Sequence, residues 1–205
     1  MQLITIAGGS CSGKSTLAKH IPSLFSHKTV AVLALDRYYD DTSHLTPAEA
    51  MQTNLDTPDA IDIGMALRDI EEFHAGTIKF LPQYNFVTRK RTFGPYTGLP
   101  ADILVLEGLF ALHYPSLNEM SDFKIFIEAT SHVMLTRRIA RDIQTRGTTE
   151  EDIRLRYNTF IQNSYETIIS QTQQHADITI DGEMSTDNQL SIVFESYTSK
   201  FQHSK

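Results

Sequence analysis

Five short runs of the chain are apolar at nearly every position: 3–7 (LITIA), 29–35 (TVAVLAL), 102–108 (DILVLEG), 123–129 (FKIFIEA) and 176–182 (ADITIDG). Hydrophobicity that is continuous rather than alternating suits strands covered on both faces, so five buried strands are expected. Between them, apolar residues recur at helical spacing. Leu17, Ile21, Leu24 and Phe25 line one helical face after the first run, and Pro22 is expected to kink or shorten that helix. A second helix fits 59–76, with Pro58 at its start and Gly76 at its end. The segment 188–201 reads as a closing amphipathic helix, beyond which the last few residues are expected to fray. Strands alternating with helices predict parallel βαβ units stacked in a right-handed α/β sheet of about five strands with helices on both faces.

Residues 77–98 break this rhythm. They hold β-formers, prolines and glycines without helical periodicity, which predicts a small β-hairpin insertion on the rim of the sheet. The ligand crevice of an α/β sheet lies outside the carboxyl ends of its strands, and the hairpin is expected to wall one side of it.

At 205 residues, the chain suits one α/β domain with a small insertion. A net charge of −7 argues against a nucleic-acid groove, which needs a basic face, so basic clusters read as local sites. Cys11 is the single cysteine and forms no internal disulfide. A strand pattern follows Met1 at once, and no apolar stretch approaches the roughly 20 residues that span a bilayer. A soluble, cytoplasmic protein without a membrane partner is the expectation.

The chemistry begins at Gly8, Gly9, Ser10, Cys11, Ser12, Gly13, Lys14, Ser15 and Thr16, which match the phosphate-loop pattern between a predicted strand and a predicted helix. Glycines let backbone N–H groups turn inward around phosphate oxygens, and a helix start adds partial positive charge. Lys14 would reach the β- and γ-phosphates of ATP or another nucleoside triphosphate, with the Ser15 hydroxyl on Mg²⁺. Two carboxylates stand at strand ends that open on the same edge. Asp36 is suited to accept the proton of an attacking hydroxyl, and Glu107 to hold Mg²⁺ directly or through water. The plain alternatives are a turn residue or helix cap for Asp36 and an ordinary residue before Gly108 for Glu107. Arg138 and Arg141 share a helical face, with Arg146 beyond them, and suit a cationic lid over 137–157. The plain alternative is a solvated basic helix with Asp142 as an internal ion-pair partner.

Taken in order, GGSCSGKST, LALDRYYD, NLDTPDAID, LPQYNFVTRKR, PADILVLEGLF, RRIARDIQTRG and HADITI resemble the uridine kinase family, within the wider uridine kinase and phosphoribulokinase group. The resemblance runs over nearly the whole chain. It implies a P-loop fold and ATP-dependent, Mg²⁺-assisted phosphorylation of the 5′-hydroxyl of uridine or cytidine, and it favours a homotetramer. By resemblance, Asp36 is the catalytic base and Tyr39 its substrate-side neighbour. Asp56 binds the ribose hydroxyls, Tyr84 contacts the base, Glu107 is the Mg²⁺-associated acid, and Arg138, Arg141 and Arg146 face the phosphates. Tyr84 would also suit plain cross-strand packing.

Three positions depart from the family's pattern. Arg89 stands where the family commonly has His, Thr148 where it has the second Arg of Arg-Gly-Arg, and Arg156 where it has Gln. All three family residues face the nucleoside. An arginine donates hydrogen bonds but accepts none, so Arg89 suits uracil carbonyls and gains nothing from cytosine's exocyclic amine. Arg89 and Arg156 would also receive an anionic acceptor, or would simply point to solvent. Uridine phosphorylation is thus the leading expectation, a same-fold kinase for another ribosyl or anionic sugar-like acceptor the second, and a nucleotide-sensing regulator the third.

Overall fold

The five apolar runs form one parallel sheet in the computed structural model, which describes residues 1–202. In chain order the elements are β1 (Gln2–Gly8), α1 (Lys14–His20), β2 (Val30–Ala34), α2 (Pro47–Gln52), α3 (Ile63–Ala75), β3 (Phe80–Asn85), β4 (Lys90–Pro95), β5 (Ile103–Glu107), α4 (Pro115–Met120), β6 (Phe123–Glu128), α5 (Ser131–Arg146), α6 (Glu150–Arg156), α7 (Gln162–Ser164), β7 (Ile178–Asp181) and α8 (Thr186–Gln202). The strand order is β2-β5-β1-β6-β7. Ile4 at the middle of β1 stands opposite Val105 on one side and Phe123 on the other.

Two apolar layers explain the unbroken hydrophobicity of the strands. Leu3, Ala7, Leu104, Leu106 and Phe126 face one layer, with Tyr38, Ile70, Phe73 and Phe110 packed upon them. Ile4, Ile6, Val105, Ile125 and Ile127 face the other, against Leu17, Ile21, Val193 and Tyr197. Each large apolar side chain buried in this way stabilises the fold by about 1.5–3 kcal/mol. Because all five strands are parallel, their carboxyl ends share one edge. The loops that follow β1, β2, β5 and β7 therefore converge there.

Local boundaries follow backbone chemistry. Pro22 ends α1 early, and Ile21–Phe25 tighten into a 3₁₀ turn. The helix expected over 59–76 begins later, at Ile63. Pro58–Ala60 wind a 3₁₀ turn, Ile61 forms an antiparallel bridge with Tyr39, and Asp62 caps α3 by accepting the Met65 N–H at 2.9 Å. Gly76 ends α3 in the left-handed conformation at the expected place. The hairpin β3–β4 falls within 77–98. After α6 the helix continues through two π-helical turns, Tyr157–Ile161 and Tyr165–Ile169. The fraying expected at the chain end concerns residues 203–205, outside the described residues.

Candidate active site

At the centre of the carboxyl edge, β1 turns sharply into α1. Ser12 N–H bonds back to Gly9 C=O at 3.1 Å, and Cys11 and Gly13 take positive φ, 66° and 118°. Glycine at 13 is what this backbone needs, since a side chain is strained there. Lys14, only 7% exposed, folds under the loop and donates from Nζ to Gly9 C=O at 3.3 Å. Ser15 Oγ donates to Glu107 Oε1 at 2.8 Å, joining the first turn of α1 to the end of β5. The other oxygen, Glu107 Oε2, is buried without a hydrogen-bond partner.

Asp36 lies in the 3₁₀ turn after β2 and lines the same cavity as Lys14 and Ser15. Burial raises its pKa above the ordinary carboxylate value. Lys14 opposes that rise, Asp56 adds to it, and Arg146 and Arg141 oppose it again. Burial also raises Glu107, with Lys14 pulling it down and Asp36 pushing it up. Lys14 is thus the shared counter-ion of two raised carboxyls. Tyr39, buried beside Asp36 and Asp56, is held well above the usual phenol value by burial and those two charges, so it stays a hydrogen-bond donor.

The cavity measures about 740 Å³, within the range of small-molecule sites. Its lining also includes Tyr39, Asp56, Phe86, Arg89, Thr148 and Arg156. Tyr84 does not line the cavity. It packs behind, against Tyr39 at 5.4 Å and Phe86 at 5.1 Å between ring centroids, and Phe86 presents the aromatic surface instead. Phe86 stands two positions beyond Tyr84, in the turn that follows β3. Arg89 sits at the hairpin turn with φ 56°, and Arg156 donates to Thr53 C=O at 3.2 Å. Arg91 rivets the hairpin to the Asp36 loop: its guanidinium reaches Tyr38 and Tyr39 C=O, both at 3.3 Å, and its backbone N–H donates to Asp41 at 3.1 Å.

Over the phosphate loop lies α5. Arg138, Arg141 and Arg146 all line the cavity, and all pair with the buried Asp142. Arg138 also donates to Ser10 Oγ at 3.0 Å, and Arg146 stacks on the Phe86 ring at 4.3 Å. Sequence reasoning missed Arg137. Its guanidinium donates to Cys11 C=O, Ser12 C=O and Gly182 C=O at 3.1–3.4 Å, fastening the loop to the turn after β7. That turn comes so close that a Cβ on Gly182 would lie 2.0 Å from Ser12 C=O. The Arg137–Arg138 pair was visible, but only the fold shows that its first member faces the loop's carbonyls.

Seven cations and three carboxylates line the cavity, against a chain net charge of −7. Such a local surplus suits a polyphosphate. Among the described residues there is no cluster of three or more His, Cys, Asp or Glu fit to hold a metal ion. A divalent cation here would therefore draw on few protein ligands, as Mg²⁺ shared with phosphates does. Ser15 and the unpartnered Glu107 oxygen fit that role. No helix among the described residues is long and apolar enough to cross a membrane.

Comparison with known proteins places this arrangement. Residues 3–189 match the model of the phosphoribulokinase / uridine kinase family. The chain is 35% identical over 178 residues to a uridine kinase of Staphylococcus epidermidis, covering 87% of this chain and 86% of that one. It is 30% identical over 203 residues to a uridine kinase of Streptococcus thermophilus, covering 99% and 96%. Among solved structures, phosphoribulokinase from Rhodobacter spheroides superposes with a TM-score of 0.62 at 16% identity, covering 88% of this chain and 69% of that one, a likeness of fold.

Proposed function

The chain belongs to the phosphoribulokinase / uridine kinase family, and on that premise we propose that it transfers the γ-phosphoryl group of ATP to the 5′-hydroxyl of uridine. The observation that carries this reading is a single cavity lined both by the phosphate loop and by two further carboxylates, Asp36 and Asp56. A nucleotide sensor needs neither acceptor-side carboxylate.

Each residue then has a role set by its chemistry. Asp56 accepts from the vicinal ribose hydroxyls. Asp36 accepts the proton of the 5′-hydroxyl as that oxygen attacks, its basicity raised by burial and restrained by Lys14. Tyr39 donates beside it, and Phe86 packs on the planar base. Lys14 and the arginines of α5 meet the negative charge spread over the phosphoryl oxygens. Ser15 and Glu107 would hold Mg²⁺, which when bound supplies neutralising charge between the phosphates. Arg89 offers its donors to the uracil carbonyls.

One observation favours a second reading, an acceptor with its own negative charge: Arg89 and Arg156 both line the cavity. Asp36 and Asp56 line the same cavity and balance those two charges, so the neutral nucleoside takes precedence. A coupled assay of ADP formation across nucleosides, ribosides and phosphorylated sugars decides. Uridine-dependent turnover is expected. Turnover only with a phosphorylated sugar supports the second reading, and turnover indifferent to any acceptor removes both. In the Arg89→His variant the kcat/KM ratio of uridine to cytidine should narrow about tenfold to hundredfold, the worth of one buried hydrogen-bond mismatch. An unchanged ratio would take Arg89 out of base recognition.

A further inference from the structure

Asp142 stands 4% exposed in the middle of the arginine-bearing face of α5. Its three cationic neighbours approach it through the same atom. Arg141 donates its Nε–H to Oδ1 at 2.8 Å, Arg146 Nε lies 3.4 Å from that oxygen, and Arg138 Nε lies 3.3 Å from Oδ2. A guanidinium carries five N–H donors in a planar fork. Engaging its Nε edge leaves the terminal nitrogens available to a second partner. On Arg138 one terminal nitrogen already reaches Ser10 Oγ of the phosphate loop. Residues 138, 142 and 146 follow one another at four-residue spacing along a single stripe of the helix. Three cations so close repel one another, and one buried carboxylate is the counter-ion that permits the arrangement.

We propose that Asp142 is the positioning residue of the phosphate clamp, fixing Arg138, Arg141 and Arg146 by their Nε edges so that their terminal forks face the transferring phosphoryl group. The proposal rests on the phosphoryl-transfer reading above and adds to it the group that organises the charge in advance. Donors held in place before the reaction need no reorganisation as charge develops. The three arginines keep a net surplus of positive charge in its presence, so Asp142 sets their geometry without cancelling their attraction for phosphate.

This division of labour predicts opposite effects on binding and on rate. Asp142→Asn is nearly isosteric and makes the cavity more positive, so the KM for ATP should stay at or below the wild-type value. The kcat should fall about 10–100-fold, as misplacement of catalytic groups costs. Arg146→Lys keeps the charge at a site whose side chain is 24% exposed. One ammonium cannot serve Asp142 and a phosphoryl oxygen as a fork does, so kcat should fall at least about tenfold. Turnover is followed with the acceptor and also as acceptor-free ATP hydrolysis, so a wrong acceptor silences only the first readout. The proposal is overturned if Asp142→Asn keeps kcat within about twofold, or if its defect is a raised ATP KM with a lowered Tm, the mark of a merely structural carboxylate. Wild-type activity of Arg146→Lys overturns it as well, and that variant decides alone should the asparagine variant not fold.

Discussion

Replacing Asp36 by asparagine should make the protein nearly inactive and more stable at the same time. The residue lies part-exposed on the cavity wall, and burial raises its pKa above the ordinary 3.8. Asparagine keeps the shape, carries no charge and accepts no proton. Loss of a general base costs on the order of 10²–10⁴-fold in rate. The stability change follows from linkage. A carboxyl whose pKa is raised by folding binds its proton more tightly in the folded chain, so its contribution is fully present below 3.8 and is lost as pH rises through the raised value. The asparagine variant escapes that loss. One proton sets a ceiling of about 1.4 kcal/mol per pH unit. For a chain of this size that is about 3–5 °C in Tm per pH unit. The realised slope is smaller, because the residue is part-exposed where it lines the cavity. The same change relieves Glu107, which Asp36 pushes upward. Thermal melts of both proteins without nucleotide, from about pH 4 upward, should show a Tm advantage for the variant that widens until the Asp36 carboxyl has ionised in the folded chain and then levels off. A gap constant in pH, or turnover within a few-fold of wild type, would refute the reasoning.

Lys14→Ala should abolish most phosphoryl transfer while the chain still folds, and it should raise Asp36 and Glu107 further by removing the cation that holds both down; unchanged turnover together with unchanged ATP affinity would count against the phosphate-loop role. Asp56→Ala should raise the acceptor KM, because ribose contacts are lost in the ground and transition states alike; a wild-type KM in steady-state kinetics would end that assignment. Gly182→Ala would place a Cβ 2.0 Å from Ser12 C=O and should cost about 1–3 kcal/mol of stability, with ATP affinity lowered. Calorimetry and melting that match wild type would show that the turn yields freely.

What the chain alone revealed was mostly local. The parallel strands were legible because burial on both faces leaves an unbroken apolar run, and the phosphate loop because its glycines and Lys14 are contiguous. The start of α3 was misplaced because Ile61 is claimed by a bridge to Tyr39, a contact that no helical periodicity records. Tyr84 was expected at the base, but the cavity is lined by Phe86, two positions on in the turn after β3. Which of two neighbouring aromatics reaches a ligand depends on where the hairpin docks. Arg91 decides that by gripping the Asp36 loop.

By itself, the sequence determined the layered parallel sheet, the phosphate loop and the chemical types available at each strand end, since these depend on residues close together along the chain. Only the tertiary structure decided that Ser15 meets Glu107 across 92 residues, that Arg137 holds the carbonyls of Cys11 and Ser12, and that three arginines share Asp142. The physical reason is that a charge acquires its role from the neighbours that desolvate and pair it. Those neighbours are chosen by packing, not by distance along the chain.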